Sequence, residues 1–139
     1  MDLKSSIYVA GHRGLVGSNL VHVLKDRGFS KILTPARSEL DLLDQQAVIR
    51  FFESERPEYA IICAAKVGGI LYNNQYQADF LYENVLLAAN VVHAAHQSGV
   101  KKLLFLGSSC IYPRQATQPI VEDSLLTGPL EPTNEGYAL

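Results

Sequence analysis

The chain has 139 residues, 47% of them apolar, enough for one ordinary domain with a sizeable core and too few for several. Lys and Arg total 12 against 14 Asp and Glu, a formal net charge of −2, so the basic excess that nucleic acid or anionic lipid attracts is missing. The longest charge-free stretch, Asn84 to Val100, carries two Asn, two His, a Gln and a Ser, and reads as a helix in water rather than a membrane span. No basic segment and long apolar run precede Ile7, so no secretory leader is expected. Cys63 and Cys110 show no CxxC or zinc spacing, which predicts reduced thiols, no metal and a cytoplasmic location.

Short apolar runs alternate with helical patterns in a β-α-β-α-β-α-β rhythm. This predicts a Rossmann-type α/β fold, a doubly wound parallel sheet incomplete at its C-terminal side, with strand order 3-2-1-4 in the portion present. Ile7–Ala10 is the first strand, and a glycine-rich turn leads into a helix whose Val16, Leu20, Val23 and Leu24 share a face and which Gly28 closes. Lys31–Thr34 is a short second strand ended by Pro35. Asp44 is the expected N-cap of a helix carrying Ala47, Val48, Phe51 and Phe52, which Pro57 ends. Ala60–Ala64, continuously apolar, suits a third strand covered on both faces.

A longer helix is predicted from Ala78 to Ser98, before Gly99, with two apolar stripes. Leu81, Val85, Ala88, Val92 and Ala95 form one; Phe80, Leu87, Val91 and Ala94 form the other. One stripe can cover the sheet. The other must meet a second helix or a partner subunit, and a homodimer contact is expected there. Leu103–Leu106 is the fourth strand, followed by a proline-containing loop to Asn134 and the start of another helix.

Gly11-His12-Arg13-Gly14-Leu15-Val16-Gly17 directly follows the first strand and opens the first helix, the context that makes a glycine pattern informative. Gly11 permits the tight turn, Gly14 lets backbone N–H groups reach a pyrophosphate, and Gly17 lets the helix approach closely. About 20 residues past the last glycine, where a carboxylate would hold the ribose 2′-OH of NAD, this chain has Arg37. Arg37, joined by Arg13, can pair with a 2′-phosphate, which argues for NADP(H); Glu39 and Asp41 lie close enough to keep NAD open.

Beyond the glycine turn, the runs Ala64-Ala65-Lys66-Val67-Gly68-Gly69-Ile70, Phe80-Leu81-Tyr82-Glu83-Asn84, Gly107-Ser108-Ser109-Cys110-Ile111-Tyr112-Pro113 and Asn134-Glu135-Gly136-Tyr137-Ala138-Leu139 carry a resemblance. Together they resemble the extended short-chain dehydrogenase/reductases, and among these the nucleotide-sugar epimerase-reductases, over the whole chain. The resemblance implies conversion of GDP-4-keto-6-deoxy-D-mannose to GDP-L-fucose, by epimerising C3 and C5 and then reducing the C4 ketone with NADPH. It assigns cofactor contacts to the glycine turn from Gly11 to Gly17 and to Arg37, Ser38, Glu39, Leu40, Asp41 and Leu42. Ala64, Ala65, Leu106, Gly107, Ser108 and Ser109 complete that set.

By the same resemblance Tyr137 is the proton donor to the ketone oxygen, a role that requires its phenolate to be tolerated near neutral pH. Ser108, just past the fourth strand, can donate to the developing alkoxide, although a loop serine is commonly a turn former. Cys110 is the candidate base at C3 and C5, with a buried, inert thiol as the plain alternative; Cys63 belongs to that inert class. The family's tyrosine has a lysine four residues later, and only Ala138 and Leu139 follow Tyr137. The chain is therefore expected to be the N-terminal part of such an enzyme, without its substrate domain and inactive by itself. A 4-epimerase, a 4,6-dehydratase or a non-catalytic NADP-binding protein are the rival readings.

Where similar sequences tend to have proline before Ala78, this one has Gln77, which bears on how sharply that helix begins. His93 and His96 lack a third ligand and read as structural, and His22 as a helix-surface residue. His12 fits either a cofactor contact or a plain turn. Lys101 and Lys102 read as the solvated end of a strand. Tyr72, Tyr76 and Tyr82 fit either a nucleotide platform or a core, and Asn73 and Asn74 read as a turn near substrate.

Overall fold

Four short strands pair in parallel in the computed structural model, which describes residues Met1 to Leu139. They are β1 (Ser6–Ala10), β2 (Lys31–Leu33), β3 (Tyr59–Ile62) and β4 (Lys102–Phe105). Contacts group the chain into two units, Met1–Ala65 with Leu86–Leu106, and Lys66–Val85 with Gly107–Leu139. The sheet belongs to the first. No helix is long and apolar enough to cross a membrane.

The strand order is β2-β1-β3-β4, not the expected 3-2-1-4. β3 lies along the other edge of β1, with Ile7 opposite Tyr59 and Ala10 opposite Ile62. Burial explains the difference. Ile7, Tyr8, Val9 and Ala10 are all 4% exposed or less, so β1 needs a strand on each side, whereas three-residue β2, beginning at exposed Lys31, suits an edge. The chain reverses its winding after β2, which makes the β1/β3 boundary a topological switch point.

That reversal distributes the helices, since right-handed crossovers running in opposite directions lie on opposite faces. Helix α1 (Leu15–Asp26) packs Leu24, Leu20 and Val21 on Ile7 and Val9. On the other face, Val48 and Phe52 of α2 (Gln45–Glu55) and Leu87, Val91, Ala94 and Ala95 of the long helix pack on Tyr8, Ala10, Ala60 and Ile62. Asp44 caps α2 as expected, its carboxylate accepting from the Ala47 N–H at 3.0 Å. Gly28 and Gly99 are the predicted helix stops, both in the left-handed conformation.

The inward face of α1 differs from the sequence pattern. Val16 and Val23 are 54% and 44% exposed, and Gly17 with Leu24 takes their place against the sheet. β3 stops at Ile62, so Cys63 lies just past the strand, its N–H still donating to Ala10 O at 3.0 Å. β4 is an edge strand. Leu103 joins the core beside it, while Leu104 and Phe105 stay partly in solvent.

The second unit contains a helix that the sequence reading does not resolve, α3 (Ile70–Gln75), followed by the start of α4 (Gln77–Gln97). Asn73 and Asn74 lie on α3 rather than in a turn; a six-residue helix is too short to show a 3.6-residue period. The loop after β4 is organised by three 3-10 turns, Ser109–Ile111, Glu122–Ser124 and Pro132–Asn134. Arg114 and Glu131 pair at 3.1 Å within it. α5 (Glu135–Ala138) begins where a new helix was expected and packs against the first and third of those turns. Along α4, Phe80 and Val91 are fully buried while Leu81, Val85 and Val92 remain 37–51% exposed, so most of one apolar stripe is uncovered although its Ala95 packs in the core.

Candidate active site

Backbone geometry at the first crossover is that of an anion cradle. Gly11 takes φ +75°, and a Cβ there would stand 2.7 Å from the Cys63 carbonyl group, so the turn lies directly against the end of β3. At Gly17 a Cβ would meet Gly11 O at 2.2 Å, so the helix approaches the turn more closely than any side chain allows. Gly14 is the N-cap of α1, with no side-chain cap and no acid in the first turn. The first-turn N–H groups are therefore left to an external acceptor, which is what a pyrophosphate requires. The glycine turn thus fits a dinucleotide.

Cations lie close to it in sequence. Arg13 is exposed and has no acidic partner. Arg37, its side chain 76% exposed, stands 3.7 Å from Asp41 in an open i,i+4 pair that a competing phosphate can displace. Ser38 is exposed, and Glu39 accepts from the Ala36 N–H at 2.6 Å, closing the turn in which Arg37 sits. Leu40 and Leu42 point into the core, 6% and 8% exposed, and offer a ligand only their backbone. Leu15 and Val16 are exposed beside the cradle, His12 is half-buried, Ala64 and Ala65 follow β3, and Leu106 donates to Ile62 O at 3.0 Å.

In the second unit the proposed reactive residues share one scaffold. Ser108 caps the turn Ser109–Ile111, its Oγ accepting from the Cys110 N–H at 3.2 Å, the turn-forming part that a loop serine commonly plays. Cys110 is half-buried, and its Sγ receives the Asn134 Nδ2 N–H at 3.3 Å. Tyr137 is half-buried on α5, its ring edge-on to Phe80 with centroids 6.3 Å apart. Tyr72 packs against Phe80 (5.5 Å) and Tyr76 (4.7 Å) as a partly exposed aromatic cluster, while Tyr82 is two-thirds exposed. Gly107 and Ser109 are exposed.

Three contributors escape sequence reasoning. Lys66 pairs with Glu83 at 2.5 Å, and that hydrogen bond raises its ammonium above the ordinary lysine range. Asn84 clamps the backbone of the same residue, accepting from Lys66 N at 2.7 Å and donating to Lys66 O at 3.0 Å. Asn134 is the third. All fall in the motif runs that carry the resemblance, yet only tertiary contact gives each a task. His22 is exposed beside Asp26, and His93 and His96 are exposed on α4. Lys101 pairs with Glu58 at 2.5 Å.

Residues 7–139 match the family model described as the NAD dependent epimerase/dehydratase family. Over 139 residues the chain is 58% identical to a putative GDP-L-fucose synthase 2 of Arabidopsis thaliana, covering all of this chain and 42% of that protein. Over 136 residues it is 54% identical to the GDP-L-fucose synthase of Escherichia coli K12, covering 98% of this chain and 42% of that one. The chain thus spans about two-fifths of the length of these relatives. Among solved structures, MlghC, a GDP-mannoheptose C4 reductase from Campylobacter jejuni with NADP bound, is 42% identical with a TM-score of 0.96. That match covers 99% of this chain and 44% of MlghC.

Proposed function

The chain belongs to the NAD dependent epimerase/dehydratase family, and on that footing we propose that it is the N-terminal, nucleotide-binding part of an NADPH-dependent epimerase-reductase. The reaction is conversion of GDP-4-keto-6-deoxy-D-mannose to GDP-L-fucose, the latter being the product that its relatives' names carry. The observation that carries this reading is one scaffold bearing a hydroxyl, a thiol and a phenol, through the packing of α5 on the Ser109–Ile111 turn.

Ketone reduction requires a proton at oxygen, and Tyr137 is the donor, with the free hydrogen of Ser108 stabilising the developing alkoxide. The protons at C3 and C5 flank the C4 carbonyl, so removing either leaves an enolate that the same donors hold. Cys110 is the group that takes and returns those protons. The nucleotide lies on the glycine turn, with Arg37 and Arg13 toward its 2′-phosphate, and when bound supplies the hydride. The enzyme is proposed to be cytoplasmic, a homodimer through the uncovered stripe of α4, and a binder of a GDP-sugar.

A second reading, C4 reduction without epimerisation, is favoured by the likeness to a GDP-mannoheptose C4 reductase. Cys110→Ser in the enzyme separates the two. Epimerase-reductase chemistry predicts that deuterium uptake from solvent at C3 and C5 is lost, while a pre-epimerised ketone still oxidises NADPH. Unchanged uptake overturns the assignment of Cys110.

A further inference from the structure

We propose that Asn134 is the positioning residue for the Cys110 thiol, directing an N–H at its sulfur so that the sulfur is held with its lone pairs in one direction. Nδ2 lies 3.3 Å from Sγ across 24 residues of sequence. The usual reason for asparagine at a helix start is absent: Asn134 occupies the N-cap position of α5, but its side chain caps no backbone N–H. Its Oδ1 is shut off from solvent without a protein partner. A side chain that neither caps its helix nor satisfies its own oxygen is placed for the contact it does make.

Both partners are fixed from behind. Cys110 is held by the Ser108 Oγ on its backbone N–H. The Asn134 N–H donates to Glu131 O at 3.1 Å, and on either side of Asn134 the Gln77 amide grips the chain, donating to Pro132 O and accepting from Gly136 N, each at 3.1 Å. An N–H aimed at sulfur engages one of its lone pairs and so fixes the direction in which the sulfur attacks.

The catalytic consequence rests on the epimerase reading; the effect on the thiol does not. Peptide-resolved iodoacetamide labelling of the enzyme measures the latter directly, with Cys63, whose thiol burial pushes up, as the internal reference. Asn134→Asp keeps the shape while replacing the donor with an acceptor, and Asn134→Leu removes both. Cys110 labelling relative to Cys63 is expected to slow by about ten-fold in each. Simple loosening of the turn does the opposite and speeds labelling. Unchanged or faster labelling of Cys110 in Asn134→Asp, with a native circular dichroism spectrum, overturns the proposal, and that variant carries the test if the leucine variant fails to fold. Slowed labelling with unaltered proton exchange at C3 and C5 upholds the positioning of the thiol and overturns instead the reading of Cys110 as the epimerisation base.

Discussion

Gln77 and Gly136 interlock where α4 and α5 begin: the Gly136 N–H donates to Gln77 Oε1 at 3.1 Å, and a Cβ at Gly136 would stand 2.4 Å from the Gln77 carbonyl oxygen. Gln77 therefore does more than set how sharply its helix starts. It bridges two backbone sites around Asn134 and next to Tyr137, a link that proline at this position cannot make. Gly136→Ala must push backbone from backbone, and a cost of about 1–3 kcal/mol is expected from such overpacking. Chemical denaturation reads it. A variant as stable as the parent shows that the close approach is dispensable.

Gly17→Ala tests the other unit. Its Cβ would meet Gly11 O at 2.2 Å and Gly11 C at 2.7 Å, so either the turn opens or α1 retreats. Both movements spoil the direction of the first-turn N–H groups. NADPH affinity is expected to fall by more than about ten-fold, a loss of about 1.4 kcal/mol or more. Isothermal titration of parent and variant supplies the comparison, and equal dissociation constants contradict the cradle.

What the sequence shows and what it hides follow from the range of the forces concerned. Asp44, Gly28 and Gly99 act on backbone a few residues away, so their roles as cap and stops are legible locally. The glycine turn is legible because its spacing is itself the constraint. Strand order is decided by which strand is most deeply buried, a comparison between distant segments; nothing local to β3 indicates that it pairs with β1. The thiol's partner is hidden for the same reason. Cys110 and Asn134 sit in turns with no periodicity, and their contact depends on α5 packing on the turn that holds the cysteine.

The Glu58–Lys101 pair gives the first unit a pH signature. Hydrogen bonding to Lys101 holds the Glu58 carboxyl below its ordinary range despite some desolvation, and Glu58 in turn raises the Lys101 ammonium. A lowered carboxyl stabilises the fold above the unfolded carboxylate range, and that contribution disappears as pH falls through the lowered value. A raised ammonium stabilises below the ordinary lysine range and stops doing so as pH rises through the raised value. Lys101→Met is therefore expected to unfold earlier than the parent at neutral pH and to converge with it in strong acid. With the pair largely in solvent, the neutral-pH gap narrows in high salt. A gap independent of pH assigns the effect to packing of the lysine stem instead.

Leu81, Val85 and Val92 form the uncovered stripe of α4, and a contiguous apolar face on a long helix is the usual material of a subunit contact. Val85→Glu, a charge in the middle of that stripe, is expected to convert the proposed dimer to monomer. Light scattering on the eluting protein gives the mass. A parent that already runs as a monomer, or a variant that stays dimeric, removes α4 from the interface.

Arg37 and Asp41 set up a competition that coenzyme choice should report. At 3.7 Å and largely in solvent, the pair is weak, and a 2′-phosphate offers the guanidinium two charges and a bidentate geometry in place of one carboxylate. Removing the arginine and removing its competitor should act in opposite directions. Arg37→Ala is expected to raise the Michaelis constant for NADPH by about ten-fold or more and leave that for NADH nearly unchanged. Asp41→Asn frees the guanidinium and removes a negative charge beside the phosphate, so it should lower the NADPH constant modestly. If instead Asp41 were holding the ribose 2′-OH of NAD, Asp41→Asn would raise the NADH constant and Arg37→Ala would affect both coenzymes alike. Steady-state constants for the two coenzymes in the two variants of the enzyme distinguish these outcomes.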